Sequence, residues 1–442
     1  MTTSASKPRR GSRTDRMLGH LQRETFGYFL HETNPVNGLV LDKTRARWPA
    51  SIAAVGLALT AYPVAVERGF CSRRLAVERT LRTLRFFASS PQSDKPIATG
   101  YRGFFYHFLD MKSGLRAWNC ELSTIDTALL IAGMLTAAAY FDRKSGDEAE
   151  IRELADSIYQ AVDWNWALGR KRTLSNGWDP SVGFLKPRWA GYSEALILYI
   201  LGLGSPSHPL PAESYADWTR TFEWKSVYGR EFVYAGPLFI HQLAHIWLDL
   251  RGIRDPFMRT HKSDYFANSR IATHIQREYA IQNPLGFEEY GPECWGITAS
   301  DGPGPTTRKI HGVERVFFDY MARGVPFGPD DGTLAPWAVV SSLPFAPDIV
   351  LPSIEYMNEG LKLRVDNPYG YKATFNPTFY GKKSKDNFWV SKWHYGLNEG
   401  PIVMMIENYR SGMIWELMRK APYLVRGLQR AGFSGGWLAR RS

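Results

Sequence analysis

The stretch Gly191-Tyr-Ser-Glu-Ala-Leu-Ile-Leu-Tyr-Ile-Leu201 puts a carboxylate, Glu194, directly after a serine and at the mouth of an apolar helix. The pattern of a polar or acidic loop followed by a helix apolar on every face repeats along the chain. Asp126 opens one such helix, the His241/His245 segment is a second, and Asn398-Glu399-Gly-Pro leads into a third. A helix that is apolar all round is one that other helices surround. Repeated pairs of this kind predict an all-α chain whose helical hairpins close into a ring, with the loop-borne acids gathered at one rim.

Helical periodicity from Met17 onward predicts helices over 17–31, 51–67, 73–89, 121–141, 147–167, 192–203, 236–251, 264–282, 313–322, 333–342, 346–357 and 399–412, with another near 414–431. Strand-like runs are few, and Tyr371–Phe379 with Phe388–Val390 predicts a small β-hairpin insertion. Residues 1–16 read as a flexible basic arm, and 17–442 as one domain, because no Gly/Ser-rich linker divides the chain. Long loops at 168–191, 204–233, 283–312 and 359–398 are rich in Trp, Tyr, Pro and Gly, and loops of that length in a compact domain are usually functional.

The 442 residues are 44% hydrophobic and include 15 Trp, 22 Tyr and 24 Phe, more flat aromatic surface than packing alone requires. The net charge is +11. Five cationic side chains (Lys7, Arg9, Arg10, Arg13, Arg16) against Asp15 alone place +4 of it in the arm, and the rest is dispersed. Neither a nucleic-acid motif nor a dense basic block is present. The three cysteines, Cys71, Cys120 and Cys294, are widely spaced and odd in number, which supports no disulfide framework and no zinc ribbon. The longest charge-free apolar run, Thr127–Phe141, is too short to span a bilayer. No apolar stretch follows the N-terminal arginines, so the expected location is cytoplasmic, or periplasmic if the N-terminus is incomplete.

Five carboxylates are candidates for acid/base work: Glu194, Asp126, Glu121, Asp301 and Glu399. Each also has a plainer reading. Ser123 and Asp126 have the spacing of a capping box, and Glu194 could serve only as a first-turn dipole acid. Against that, Glu121 and Asp126 stand beside the aromatic run Gly103–Phe108 and Trp118, and Glu194 stands beside Arg188, Trp189 and Tyr192. An acid walled by aromatics is desolvated, which raises its pKa toward that of a general acid. His241 and His245 are spaced i, i+4 with Asp249 one turn on, a spacing that could hold a metal, but there is no HExxH glutamate and no third ligand. Metal and cofactor are therefore not expected. Trp178, Arg188, Trp189, His241, His245, Trp295 and Tyr409 are the candidate ligand-holding side chains. Glu407 and Arg410, at i, i+3, read as a surface pair, and Asp330-Asp331-Gly as a turn. Nucleophile-elbow, P-loop and dinucleotide fingerprints are missing.

The ordered motifs His241–Asp255, Tyr265–Arg270, Gln276–Ala280, Trp295–Pro303 and Glu399–Arg410 resemble the bacterial glucoamylase-like domain of endo-β-1,2-glucanases and of the cyclisation region of cyclic β-1,2-glucan synthases. The likeness runs from about Leu18 to Trp437. It implies an (α/α)6 toroid and hydrolysis of a β-linked glucan, most simply β-1,2-glucan, by carboxylates matching Asp126 and Glu194. One departure stands out: relatives often read Asp-Gln-Gly-Pro where this chain has Asn398-Glu399-Gly-Pro401. The expected partner is an oligo- or polysaccharide, with neither nucleic acid nor membrane. A transglycosylase, a non-catalytic glycan-binding protein and a polysaccharide lyase on the same scaffold are the alternative readings.

Overall fold

The computed structural model describes residues 11–380 and 388–441. Helices α1 (Arg13–His31), α2 (Ile52–Glu67), α3 (Arg73–Ser89), α4 (Thr124–Tyr140), α5 (Gly146–Ala161) and α6 (Leu196–Gly204) occupy the first half of the chain. The second half holds α7 (Ala212–Thr219), α8 (Pro256–Thr260), α9 (Tyr265–Gln282), α10 (Pro336–Ser341), α11 (Pro347–Glu355), α12 (Gly396–Arg410), α13 (Met413–Met418) and α14 (Pro422–Arg430). Serine hydroxyls at positions 12, 51, 72, 123 and 145 accept the free N–H of the first turns of α1 to α5, each cap contributing about 1 kcal/mol.

The fold is an (α/α)6 toroid. Its inner ring is α2, α4, α6, a pair of 3-10 turns (Leu238–His241 and Leu243–Ile246), α10 and α12. Helix α2 packs on α4 and on α12, α4 on α6, and α12 on α10 and on the second 3-10 turn. Every residue of α2 from Ile52 to Ala65 is buried, as its all-round apolar sequence requires. The outer helices bury one stripe only: α3 buries Ala76, Val77, Thr80, Leu81, Thr83, Leu84 and Phe87, and leaves Arg74 and Arg85 toward water. Two glycines let α2 and α4 touch backbone to backbone. A Cβ at Gly133 would stand 2.0 Å from the Gly56 carbonyl oxygen, and one at Gly56 would stand 2.3 Å from that of Leu129.

A five-stranded antiparallel sheet (Gly100–Tyr101, Phe104–Tyr106, Leu122–Ser123, Gly177–Asp179, Gly183–Phe184) ties the entrances of α4 and α6 together. Its register pairs Leu122 with Trp178 and Ser123 with Gly177. The small hairpin near the C-terminus is present as Phe375–Tyr380 paired with Phe388–Val390.

The structure corrects several sequence expectations. Residues 236–251 form 3-10 turns and not an α-helix, because Gln242 leaves the helical path to donate to the Ala338 carbonyl (2.6 Å) and the Ser342 hydroxyl (2.8 Å). The segment 313–322 is extended: Thr306–Ile310 and Val313–Phe317 form a hairpin around His311 and Gly312, both at positive φ, the backbone such two-residue turns demand. The 414–431 segment is two helices, α13 and α14, and the 204–233 loop contains α7 and a second hairpin. Of the arm, residues 1–10 lie outside the described residues, while Arg13–Arg16 belong to α1, where Asp15 pairs with Arg410 at 2.8 Å. All three cysteines are free thiols. Among the described residues no helix is long and apolar enough to cross a membrane.

Candidate active site

Every chain segment that leads into an inner-ring element arrives at the same end of the toroid. Together they wall a cleft of about 890 Å³. Its lining runs through residues 42–48 before α2, 107–126 before α4, 176–194 before α6, Phe239 and Leu243 on the 3-10 turns, 299–320 and Trp337 at α10, and 389–398 at α12. Inner helices point their N-termini at this space, so side chains just ahead of each first turn project into it.

Glu194 lines the cleft two residues before α6. It is not held as a helix cap: α6 has no side-chain cap, and the neighbouring Ser193 hydroxyl has no partner. Burial pushes its carboxyl pKa up to about 7, with the nearby charge of Asp126 adding to the effect. No side chain among the described residues hydrogen-bonds its carboxylate.

Asp126, in the first turn of α4, also lines the cleft. The Ser123 hydroxyl accepts the Asp126 amide at 3.1 Å and donates to its carboxylate, so capping and cleft placement coincide. His107 stands between two acids, with Nδ1 2.9 Å from Glu121 and Nε2 3.7 Å from Asp126. Burial works to lower the His107 pKa, but the Asp126 charge and the Glu121 hydrogen bond outweigh it and raise it to about 9. The ring is therefore an imidazolium at neutral pH, and it offsets repulsion between the two carboxylates. For Glu121, burial works upward but is outweighed by the His107 bond and charge, which hold it below the usual range. His107, Glu121 and Asp126 bring potential ligand atoms within 4.8 Å of one another, and the two carboxylates are paired with the His107 ring.

Asp301 lines the opposite wall, accepting from Thr374 (2.9 Å) and Ser391 (2.7 Å), with its pKa raised by burial against those bonds. Asp42 faces the same space. Its pKa is also raised by burial, and it accepts the Trp48 indole N–H at 3.0 Å. Aromatic rings complete the walls. Trp48 meets Trp118 edge-on at 4.5 Å, Phe108 stacks on His107 at 3.9 Å, and Lys43 lies 4.2 Å over Trp48. Trp189 is fixed by its indole N–H to the Thr124 hydroxyl at 3.0 Å.

Of the residues singled out from sequence, Glu194, Asp126, Glu121, Asp301 and Trp189 are brought together at the cleft. The others are not. Glu399 is 1% exposed and turned to His394 (2.9 Å), because its position in the first turn of α12 faces inward behind Asn398. Trp178 packs in the sheet against Tyr101 and Trp166. Arg188 spends its guanidinium on the Leu168 and Thr173 carbonyls. His241 bonds Asn268 and the Ala235 carbonyl, His245 bonds Ser269, and burial lowers their pKa to about 4 and about 3, so both are neutral core histidines. Asp249 pairs instead with Arg251 and Arg419. Trp295 is 1% exposed in the core. Tyr409 sits about 16 Å along α12 from the rim, at 1.5 Å per residue. Glu407 pairs with Arg68 and not with Arg410.

Sequence reasoning missed Asp42, Trp48, Tyr320 and Trp393, all of which line the cleft. The segment containing Asp42 and Trp48 precedes α2 in the same way that 107–123 precedes α4, so the order of inner helices was itself the signal.

Fold and site define the class: an (α/α)6 toroid with an acid-bearing, aromatic-walled cleft at the entrance of its inner ring. The chain belongs to the Glycoamylase family, described as "Putative glucoamylase", whose sequence profile matches residues 186–422. It is similar to the exo beta-1,2-glucooligosaccharide sophorohydrolase (non-reducing end) of Parabacteroides distasonis, 27% identical over 94% of this chain, and it spans 58% of that relative's length. A glucoamylase-like protein of Bacteroides uniformis superposes with a TM-score of 0.84 at 29% identity, covering 96% of this chain and 99% of that one. An endo-beta-1,2-glucanase of Chitinophaga pinensis, solved with sophorotriose and glucose, superposes with a TM-score of 0.83 at 26% identity over 96% and 99%.

Proposed function

We propose that this protein is a glycoside hydrolase acting on β-1,2-linked glucan or its oligosaccharides. One observation carries the reading: Glu194 lines the cleft with no side-chain partner among the described residues, and burial pushes its pKa up to about 7, which suits a proton donor at neutral pH. The substrate class is supported by the sophorohydrolase and endo-glucanase named above, both of which act on β-1,2-linked glucose chains by their names.

In this mechanism Glu194 protonates the bridging oxygen as the bond from that oxygen to the anomeric carbon breaks. Asp126 serves that carbon, either by taking a proton from the water that attacks it or by attacking first itself and being released by water. His107 and Ser123 hold the Asp126 carboxylate in place. Trp48, Trp118 and Trp189 offer the flat faces on which sugar rings stack.

The test is incubation of the purified protein with linear and cyclic β-1,2-glucans, other β-glucans and a polyuronate, with products resolved by chromatography. New reducing ends from β-1,2-glucan, lost in Glu194→Gln, support the reading. Transfer products, an unsaturated uronate, or tight binding without turnover would replace it with a transglycosylase, a lyase or a binding protein respectively. Proton NMR of the first product reports its anomeric configuration, and hence whether Asp126 acts as base (inversion) or nucleophile (retention).

A further inference from the structure

Tyr320 lies outside the machinery described so far. It is 62% exposed, yet the space its side chain occupies is the cleft. It lines that cleft together with Asp42, Glu194, Asp301 and Asp126, from the wall opposite α4. Tyrosine offers both a stacking face and a hydroxyl that donates or accepts, which is what a sugar ring with its hydroxyl groups takes up.

A long loop residue so placed needs something to aim it. Arg323, three residues on, is fully buried and paired with a fully buried Asp331. Its Nε donates to Asp331 at 2.7 Å and its Nη2 to the same carboxylate at 2.8 Å. The Nη2 group also donates to the Phe318 (3.2 Å) and Asp319 (3.1 Å) carbonyls immediately before Tyr320. Nη1 donates at 2.6 Å to the Ser300 carbonyl, immediately before Asp301. Asp331 in turn accepts the Phe318 amide at 2.9 Å. Met321 and Ala322 pair with Ser300 and Ala299 as a two-residue ladder. A Cβ at Gly302 would stand 2.2 Å from the Arg323 guanidinium, so the turn after Asp301 is cut to fit it. One guanidinium thus joins the turn bearing Tyr320 to the turn bearing Asp301. A buried ion pair is expensive to desolvate and adds little net stability. Apart from the Thr333 amide, which Asp331 accepts at 3.2 Å, the hydrogen bonds the pair makes to the backbone fall on those two turns.

We propose that Tyr320 is a substrate-contacting residue at the reaction centre, and that the buried Arg323–Asp331 pair is the positioning device that aims it there and fixes Asp301 relative to it. This rests on the glycan-hydrolase reading of the cleft and adds a residue and a support to it.

The experiment is a double-mutant cycle with Tyr320→Ala and Asp331→Asn, with Tyr320→Phe alongside. It is read by kcat/KM on β-1,2-glucan oligosaccharides, by calorimetric binding of the same oligosaccharides and by Tm. Tyr320→Phe is expected to lose roughly 10-fold in kcat/KM and Tyr320→Ala roughly 100-fold, the scale of a lost hydroxyl contact and of a lost contact residue, with Tm unchanged. Asp331→Asn is expected to lose a comparable amount with a lower Tm. In the double variant the losses should fall short of their product, because the clasp acts through Tyr320. Fully multiplicative losses would overturn the positioning role, and wild-type kinetics in both Tyr320 variants would overturn the contact. Should Asp331→Asn not fold, Arg323→Lys, which keeps the charge but removes the forked contacts to the two turns, takes its place in the cycle with the same expected and overturning results. A wild-type protein that binds the oligosaccharides through Tyr320 without cleaving them would keep this proposal and defeat the hydrolase reading. One that neither binds nor cleaves them would defeat both.

Discussion

Glu194 and Glu399 are near twins in their chemistry and opposites in their surroundings. Each stands at the entrance of an inner helix, and burial raises each carboxyl pKa to about 7. Glu194 opens onto a cleft of about 890 Å³ with no side-chain partner among the described residues, whereas Glu399 is 1% exposed and bonded to His394, its second oxygen facing none of their polar groups. A perturbed pKa marks a functional carboxyl only where a substrate can reach it. Access, and not proton affinity, separates the two.

The largest expected difference follows directly. Glu194→Gln should lower kcat on β-1,2-glucan by roughly 10³-fold or more, within the range general acids contribute, while Glu399→Gln should leave kcat within about 5-fold, both measured by reducing-end release. Equal losses from the two would dissolve the distinction. The pH profile sharpens it. Glu194 must be protonated to act, so kcat/KM should fall above about pH 7, and that limb should stay in place in Glu399→Gln. A limb that moves with Glu399 would make it part of the proton-transfer machinery.

The smallest effect concerns stability. The folded-state pKa of Glu399 lies above its unfolded value of about 4.5, so the native state binds the proton more tightly. Its contribution is full below about pH 4.5 and is lost as pH rises through about 7. Urea unfolding across that window should show a decline of about 1–3 kcal/mol from this group, absent in Glu399→Gln. A slope unchanged by the substitution would assign the pH dependence elsewhere.

A ring of buried helices was legible because burial on every face is written directly into α2, α4 and α6, the motifs shared with the glucoamylase-like domain supplied the (α/α)6 toroid, and the acids of the cleft were legible where they adjoin such a helix. Legibility stopped where long-range contacts overrule local pattern. The His241–Asp249 spacing reads as a helix face, but Gln242 bonds to Ala338 and Ser342, nearly a hundred residues away, and the helix gives way. Val313–Tyr320 carries helical spacing, yet the His311–Gly312 turn makes it a hairpin. Trp178, Trp295 and Tyr409 show the complementary limit: residue type predicts affinity for sugar rings, and only topology says which end of the ring a side chain reaches. Tyr320 and Asp42 were invisible for the same reason, since nothing local distinguishes a loop at the open rim from one at the closed end.

The contact between Gly56 and Gly133 bears on chemistry that takes place elsewhere. Gly133 lies seven residues, about 10 Å, below Asp126 on the same helix. One methyl group at either glycine would wedge α4 outward and carry its first turn with it. The carboxylate at the mouth of the ring thus owes its station to two hydrogen atoms deep in the wall, and a substitution far from any sugar would be read as an enzymatic defect.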